Sequence, residues 1–130
     1  MPGIAVDYSF DKSLRLLNAG DYQAVFDQSR LKVSTPELLF LAHSNGIDRP
    51  RLGLVIAKKN VRLAVQRNRI KRIVRETFRM QQGHLKGIDV IVLARRGVDQ
   101  LDNQALHSTC KQLWHQLEKR AEKRFKKQEG

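Results

Sequence analysis

The sequence contains a single cysteine, Cys110. One thiol cannot form a disulfide within the chain, and it cannot build a zinc site of four cysteines. Such sparing use of cysteine is typical of a reducing compartment, so we expect the protein to act in the cytoplasm.

Long apolar runs and linkers are also missing. No stretch approaches the roughly 18–20 apolar residues of a membrane span, and the N-terminus lacks the pattern of a signal peptide. There are three prolines and eight glycines, with no linker-like segment and no internal repeat. We expect no membrane partner and a single domain over residues 1–130, with flexible ends at 1–10 and 122–130. With 41% hydrophobic residues, a chain of this length can bury a core, which excludes disorder throughout.

Acidic residues are scarce, because 13 Asp and Glu stand against 25 Lys and Arg, for a formal net charge of +12. The excess is local: residues 58–79 contain nine cations and one acid, Glu76. A solvated helix face ordinarily mixes both signs, so it explains this segment less well than a surface for a polyanion. Arginine is the most frequent cation in the segment. Its planar guanidinium group can bind a phosphate through two hydrogen bonds and can stack on exposed bases. We interpret residues 58–79 as a nucleic-acid-binding surface that suits direct contact with RNA.

The apolar pattern predicts an α+β fold, a two-layer sandwich of helices on a small mixed sheet. The runs at 38–43 and 52–58 are separated by turn residues, which favours a hairpin of adjacent strands. The run at 88–94 predicts a buried strand. Helices are expected at 21–29, at 64–82 with Gly83 as the stop, and from an N-cap at Asp102 onward. The order is α-β-β-α-β-α, and a further strand near Val33 remains open.

The segment 64–82 is amphipathic as a helix. At 100° per residue, one arc collects core residues and the other collects polar and cationic ones. The first arc holds Ile70, Ile73, Val74, Thr77 and Phe78, and the second holds Asn68, Lys71, Arg72, Arg75 and Arg79. Arg67 falls on the apolar side, so either the core ends at the first turn or Arg67 makes a specific contact. The last helix has an apolar face of its own, formed by Leu106, Cys110, Leu113 and Leu117.

Tyr22 and Phe26 lie one helical turn apart in the first predicted helix. They could be stacking platforms for unpaired bases or core anchors of that helix. Taken alone, the pattern favours core anchors.

No constellation in the sequence indicates a metal centre or a catalytic centre. His107, Cys110 and His115 do not converge on one helix face, and neither a CxxC nor an HxxxH motif is present. The acids are scattered, and no glycine-rich phosphate loop or nucleophile motif occurs. We therefore predict no metal site and no catalytic residue in the polypeptide.

Specific motifs extend over nearly the whole chain. The helix carries RNRIKR at 67–72, and the strand before it reads RLGLVIAKK at 51–59. Asp21-Tyr22 and Val25-Phe26 precede them, and DVIVLAR follows at 89–95. In this combination the sequence resembles the bacterial ribonuclease P protein component. Relatives commonly carry a glycine in the link before the helix, and residues 60–63 of this sequence contain none.

The resemblance implies an α-β sandwich with a left-handed βαβ crossover, similar to a domain of a ribosomal protein and of the ribosomal translocase. It also implies a subunit of an endoribonuclease in which a catalytic RNA removes the 5′ leader of precursor tRNA. The Mg²⁺ would be held mainly by the RNA and the substrate. The implied partners are the catalytic RNA and precursor tRNA, with no DNA expected. The implied RNA-binding residues are Lys58, Lys59, Arg62, Arg67, Asn68, Arg69, Lys71, Arg72 and Arg75, and the implied leader cleft contains Tyr22 and Phe26.

Two other classes of protein share part of this pattern. A basic structural protein of ribosomal type would carry the cationic helix, but it would not need the preceding RxGLxxAKK strand. A protein-only nuclease would need clustered metal-binding acids, and the cationic segment has only Glu76.

Overall fold

The computed structural model describes residues 19–85 and 87–129, with side chains described up to residue 124. This part of the chain forms three α-helices and four β-strands, with two short 3₁₀ turns at Gln82–His84 and Val98–Gln100. The elements are α1 (Ala19–Gln28), β1 (Leu31–Ser34), β2 (Leu38–Ser44), β3 (Arg51–Val55), α2 (Ala64–Gln81), β4 (Ile88–Ala94) and α3 (Asn103–Glu129). The predicted α+β class is therefore confirmed, and the strand left open near Val33 exists as β1.

The sheet has the strand order β1-β2-β4-β3. β2 pairs antiparallel with β1 and with β4, while β3 pairs parallel with β4. The predicted hairpin between the second and third strands is wrong, because β4 lies between them. The turn residues after β2 lead the chain across to the far edge of the sheet instead. The chain then crosses from β3 through α2 to β4, as the resemblance implied.

Both faces of the sheet are covered, but unequally. On one face α2 and α3 bury the larger core, in which Phe40 of β2 and Phe78 of α2 pack against Trp114 of α3 with ring centroids 4.4 and 5.4 Å apart. On the other face the short α1 covers a small cluster around Val25, Leu41 and Ile91. The side chains of a strand alternate between faces, so β2 and β4 supply both cores.

Local signals place most helix ends correctly. Asp102 caps α3, since its Oδ1 accepts a hydrogen bond of 2.7 Å from the backbone N–H of Ala105. Gly83 lies in the 3₁₀ turn that follows α2, and its φ is not positive. It is therefore not the left-handed cap that the sequence suggests. The strand predicted at 52–58 ends at Val55, so Lys58 and Lys59 lie in the turn beyond it.

The predicted flexible N-terminus, residues 1–10, lies outside the described residues. The backbone of α3 continues to Glu129, through most of the C-terminal segment.

Candidate nucleic-acid interface

One face of α2 is fixed to the core. Ile70, Ile73, Val74, Thr77 and Phe78 are buried, as the helical arc predicts. Thr77 is the polar member, and its hydroxyl oxygen accepts a hydrogen bond of 2.8 Å from the indole N–H of Trp114. The same hydroxyl lies 3.1 Å from the carbonyl oxygen of Ile73, to which it donates. Its hydrogen-bonding capacity is satisfied inside the core, so this contact and the buried apolar side chains hold the same face of α2 inward.

The opposite face of α2 presents cations to solvent. Arg72 and Arg75 are exposed, Asn68 beside them is exposed, and Lys71 is half-buried. Arg72 has an i,i+4 partner in Glu76, with Nε 3.8 Å from Oε1 and both side chains open to water. An exposed pair of this kind contributes little to stability. The guanidinium of Arg72 can therefore exchange this carboxylate for a phosphate at small cost.

Arg69 belongs to a different environment from Arg72. Its Nε donates to Oε1 of Gln66 at 2.8 Å and its Nη1 to Oδ1 of Asn103 at 3.0 Å. Its Nη2 lies 3.4 Å from the carbonyl oxygen of Asp99. These bonds connect α2 to the 3₁₀ turn and to the start of α3. Arg69 thus has a structural role.

Arg67 fastens the link between β3 and α2. Its Nη1 donates to the carbonyl oxygens of Val61 and Arg62 at 2.9 and 3.0 Å. Asn60 ties the same link to the end of β4 through a bond of 3.0 Å from Nδ2 to the carbonyl oxygen of Ala94, and Val61 is fully buried. Of the two explanations for Arg67 on the apolar side, the specific contact is the one observed.

The link from Asn60 to Leu63 needs no glycine. The backbone N–H groups of Asn60 and Val61 both donate to the carbonyl oxygen of Ala57, at 3.0 and 3.1 Å, which forms a tight turn. No described residue other than glycine has a positive φ, so the turn uses conformations open to any L-residue. Lys58, Lys59 and Arg62 are exposed on this turn, next to the first turn of α2.

Tyr22 and Phe26 lie on the less covered face of the sheet. Tyr22 is half-buried against Gly53 of β3 and belongs to the periphery of the cluster of Val25, Leu41 and Ile91. The side chain of Phe26 is more open, and the residue is 42% exposed. The two aromatic residues therefore differ: Tyr22 anchors α1 and leaves part of its ring accessible, whereas Phe26 is exposed to solvent.

A polar cluster at one end of this face was not predicted. Arg51 binds the buried Asp89 through two hydrogen bonds, Nε to Oδ1 at 2.9 Å and Nη2 to Oδ2 at 2.6 Å, and Asn45 donates to the same Oδ1 at 2.8 Å. The hydrogen bond with Asp89 raises the pKa of Arg51, against the opposing effect of burial. Arg51 also lies 3.8 Å from Oδ2 of Asp21 on α1, and His43 Nε2 lies 3.8 Å from Oδ2 of Asp89.

This cluster holds α1 over the sheet, because Arg51 connects Asp21 of the helix with Asp89 of the central strand. The cluster depends on the register of the sheet, in which Asp89 lies opposite His43 on one neighbouring strand and opposite Arg51 on the other. That register could not be derived before β4 was placed between β2 and β3.

The described part of the chain holds no group of three His, Cys, Asp or Glu side chains arranged to bind a metal ion. A search of the same residues finds no helix that is both long and apolar enough to span a membrane.

Comparison with known proteins gives one consistent family. Residues 10–118 match the family model described as Ribonuclease P. The "Ribonuclease P protein component" of Chromohalobacter salexigens is 54% identical over 113 residues, which are 87% of this chain and 88% of that protein. The protein of the same name from Pseudomonas aeruginosa is 52% identical over 112 residues, 86% of this chain and 83% of that one.

Solved structures agree with the sequence comparison. The RNase P protein of Staphylococcus aureus superposes with a TM-score of 0.72 at 28% identity, covering 78% of this chain and 93% of that one. The RNase P protein of Thermotoga maritima gives a TM-score of 0.61 at 30% identity, covering 75% of this chain and 96% of that one.

Proposed function

Because the chain belongs to the ribonuclease P protein family, we propose that it binds the catalytic RNA of that enzyme and holds the 5′ leader of precursor tRNA during cleavage. Membership makes the chain a protein component of ribonuclease P, an enzyme of tRNA processing with an RNA partner. The finer assignment, which surface binds which RNA, rests on the two faces described above. The RNA partner and the lone thiol favour the cytoplasm as the place of action.

The observation that carries the proposal is the division of α2 into a buried face and a cationic face. The five buried residues of α2, with the hydrogen bond between Thr77 and Trp114, determine which side of the helix points outward. Lys71, Arg72 and Arg75 then share the outward side with Asn68, and Lys58, Lys59 and Arg62 extend the charge along the adjoining turn. A row of cations on a rigid helix suits the regularly spaced phosphates of a folded RNA. We assign this surface to the catalytic RNA.

The leader is assigned to the face covered by α1. A single-stranded RNA leaves its bases free to stack on aromatic rings, and each stack contributes roughly 1–3 kcal/mol. Phe26 supplies an exposed ring, and Tyr22 supplies the open part of a ring that already rests on Gly53. Mature tRNA has no leader and would not use this face.

The chemistry is assigned to RNA. We propose that Mg²⁺, held mainly by the catalytic RNA and the substrate, supplies the activated water and the charge stabilisation for phosphodiester hydrolysis. The part of this chain that the structure describes contributes cations and aromatic rings rather than clustered carboxylates. Its residues bind and position both RNAs.

The direct test is cleavage of precursor tRNA by the protein before and after removal of RNA. We expect the RNA-free polypeptide to be inactive and the addition of the catalytic RNA to restore cleavage. Native purification should recover one RNA species of a few hundred nucleotides. Cleavage that persists after complete RNA removal would contradict the proposal, and recovery of ribosomal RNA instead would favour the structural protein of ribosomal type.

A further inference from the structure

A second cationic site lies away from α2, where the start of β1 meets the C-terminal half of α3. A cleft of about 340 Å³ opens there, lined by Arg30, Leu31, Lys32, Arg120, Lys123 and Arg124. Water occupies about 30 Å³ per molecule in the liquid, so the cleft has room for about ten waters or for a phosphate with its sugar. Of the six described residues that line it, five are cations and none is an acid.

The three helical cations form one stripe. Arg120, Lys123 and Arg124 are spaced i, i+3 and i+4, so they point to the same side of α3. Glu122 is about 160° to 200° away from Arg120 and Arg124 around the helix axis, and it does not line the cleft. Glu122 therefore does not neutralise this stripe.

One hydrogen bond within the protein connects the two sides of the cleft. Nη1 of Arg120 donates a hydrogen bond of 2.6 Å to the carbonyl oxygen of Lys32, which joins α3 to β1 across the cleft. That bond uses one N–H of the guanidinium and leaves others for a ligand. Within the described residues, no salt bridge connects any of the five cations to a carboxylate. Five like charges around one opening repel each other until an anion enters.

The cleft lies at the β1 edge of the sheet, where α3, which packs on the face opposite α1, meets the start of β1. Lys32 stands opposite Leu41 in the antiparallel pair of β1 and β2, so the two side chains share a face of the sheet. Leu41 belongs to the cluster under α1, next to Val25. Arg30 follows the end of α1, four residues after Phe26. A strand of RNA stacked on Phe26 could thus continue along the edge of the sheet into the cleft.

We infer that this cleft binds backbone phosphates of the single-stranded leader, beyond the nucleotides that stack on Tyr22 and Phe26. The inference rests on the proposed function, since it takes the leader as the strand on the α1 face. It adds a second anchor that only longer leaders reach. The cleft binds phosphate without distinguishing the bases, because its ligating groups are cations on a shallow, open surface.

The test uses the double variant Lys123→Ala/Arg124→Ala in the reconstituted holoenzyme. Neither side chain has a described hydrogen bond, so folding is preserved, whereas Arg120 holds β1 and is left intact. The matched control is Lys111→Ala, which removes an exposed cation from the same helix on the side opposite Arg120. Binding is measured for precursors with short and with long leaders, and for mature tRNA, at several salt concentrations.

We expect the double variant to bind the long-leader precursor about fivefold more weakly, since an exposed charge contact contributes up to about 1 kcal/mol. The slope of log K against log salt should become shallower by about 0.7 for each lost single-strand contact. The short-leader precursor, mature tRNA and the Lys111→Ala control should show no change.

Other outcomes distinguish an error in the cleft assignment from an error in the proposed function. Equal losses for all three RNAs would overturn the leader assignment and place the catalytic RNA or the tRNA body at the cleft. No loss with any of the three RNAs, while Arg72→Ala still weakens binding of the catalytic RNA, would overturn the cleft assignment alone. No loss from either the cleft variant or Arg72→Ala would overturn the proposed function as well.

Discussion

The ring of Tyr22 lies directly on the backbone of Gly53, so closely that a Cβ atom at position 53 would stand 2.7 Å from Cζ and 2.9 Å from the hydroxyl oxygen of the tyrosine. Real Cβ atoms do not approach other atoms to that distance. Gly53 is thus explained by the aromatic ring above it and not by its own backbone conformation, because its φ is not positive. The glycine in the middle of β3 and the aromatic residue on α1 form one structural unit.

Gly53→Ala should therefore displace Tyr22 and destabilise the fold by roughly 1–3 kcal/mol, the usual cost of overpacking. In a Tyr22→Ala background the same change should cost much less, since the colliding ring is gone. Thermal or denaturant melts of the two single variants and the double variant measure this coupling. Additive losses would show that the ring and the glycine act independently.

Phe26→Ala should weaken binding of leader-containing precursors by roughly 1–3 kcal/mol while leaving mature tRNA unaffected. The residue is 42% exposed, so the free energy of unfolding should change little. Tyr22→Ala should weaken leader binding and also lower stability, because that ring is half-buried against β3. Affinity measurements on both RNAs, with melts of each variant, provide the test. Equal effects on the two RNAs would contradict a contact between Phe26 and the leader.

Replacement of Arg72 and Ile73, neighbours on α2, should have opposite effects. Arg72→Ala should leave stability within about 0.5 kcal/mol and make the salt dependence of RNA affinity shallower by roughly 0.7–0.9. Ile73→Ala should cost about 2–5 kcal/mol of stability through a core cavity and keep the salt slope. Melts and binding titrations at several salt concentrations distinguish the two. An Arg72 variant that unfolds and keeps its slope would show that the cationic face is structural.

Arg67→Ala should destabilise the link between β3 and α2. The variant leaves the carbonyl oxygens of Val61 and Arg62 without their charged donor, at a cost of about 1–3 kcal/mol. Arg62→Ala is the matched control, since it removes an exposed arginine from the same turn and should change stability by less than about 0.5 kcal/mol. Denaturant unfolding compares the two variants, and equal stability would contradict the structural role of Arg67 in the link.

Cys110 should resist thiol reagents in the folded protein. Burial raises the pKa of its thiol to about 12, with a smaller opposing effect from a hydrogen bond with Thr77. Because the folded pKa lies above the ordinary value of 9.0, this group's contribution to stability is complete below about pH 9 and is lost as the pH rises toward 12. Labelling near pH 8 with and without denaturant checks the first point. Rapid labelling of the native protein would contradict it.

Local patterns in the sequence determined the helices and the division of α2 into two faces. Helical periodicity needs only neighbours within one or two turns, so Ile70, Ile73 and Phe78 identify the buried side without knowledge of the fold. The cap at Asp102 is equally local, since its acceptor and donor are three residues apart. The strand at 88–94 was recognisable for the same reason, as a short run rich in β-branched residues between Gly87 and Gly97.

The tertiary structure alone decided the order of the strands and the partners of the polar side chains. The bond from Arg51 to Asp89 joins residues 38 positions apart, and the bond from Arg69 to Asn103 joins residues 34 positions apart. Such pairs depend on the sheet register and on how the helices pack. Local periodicity contains no information about either. The insertion of β4 between β2 and β3 is the clearest case: Asn45-Gly46 allows a hairpin, but burial of β4 on both faces requires it to be the central strand.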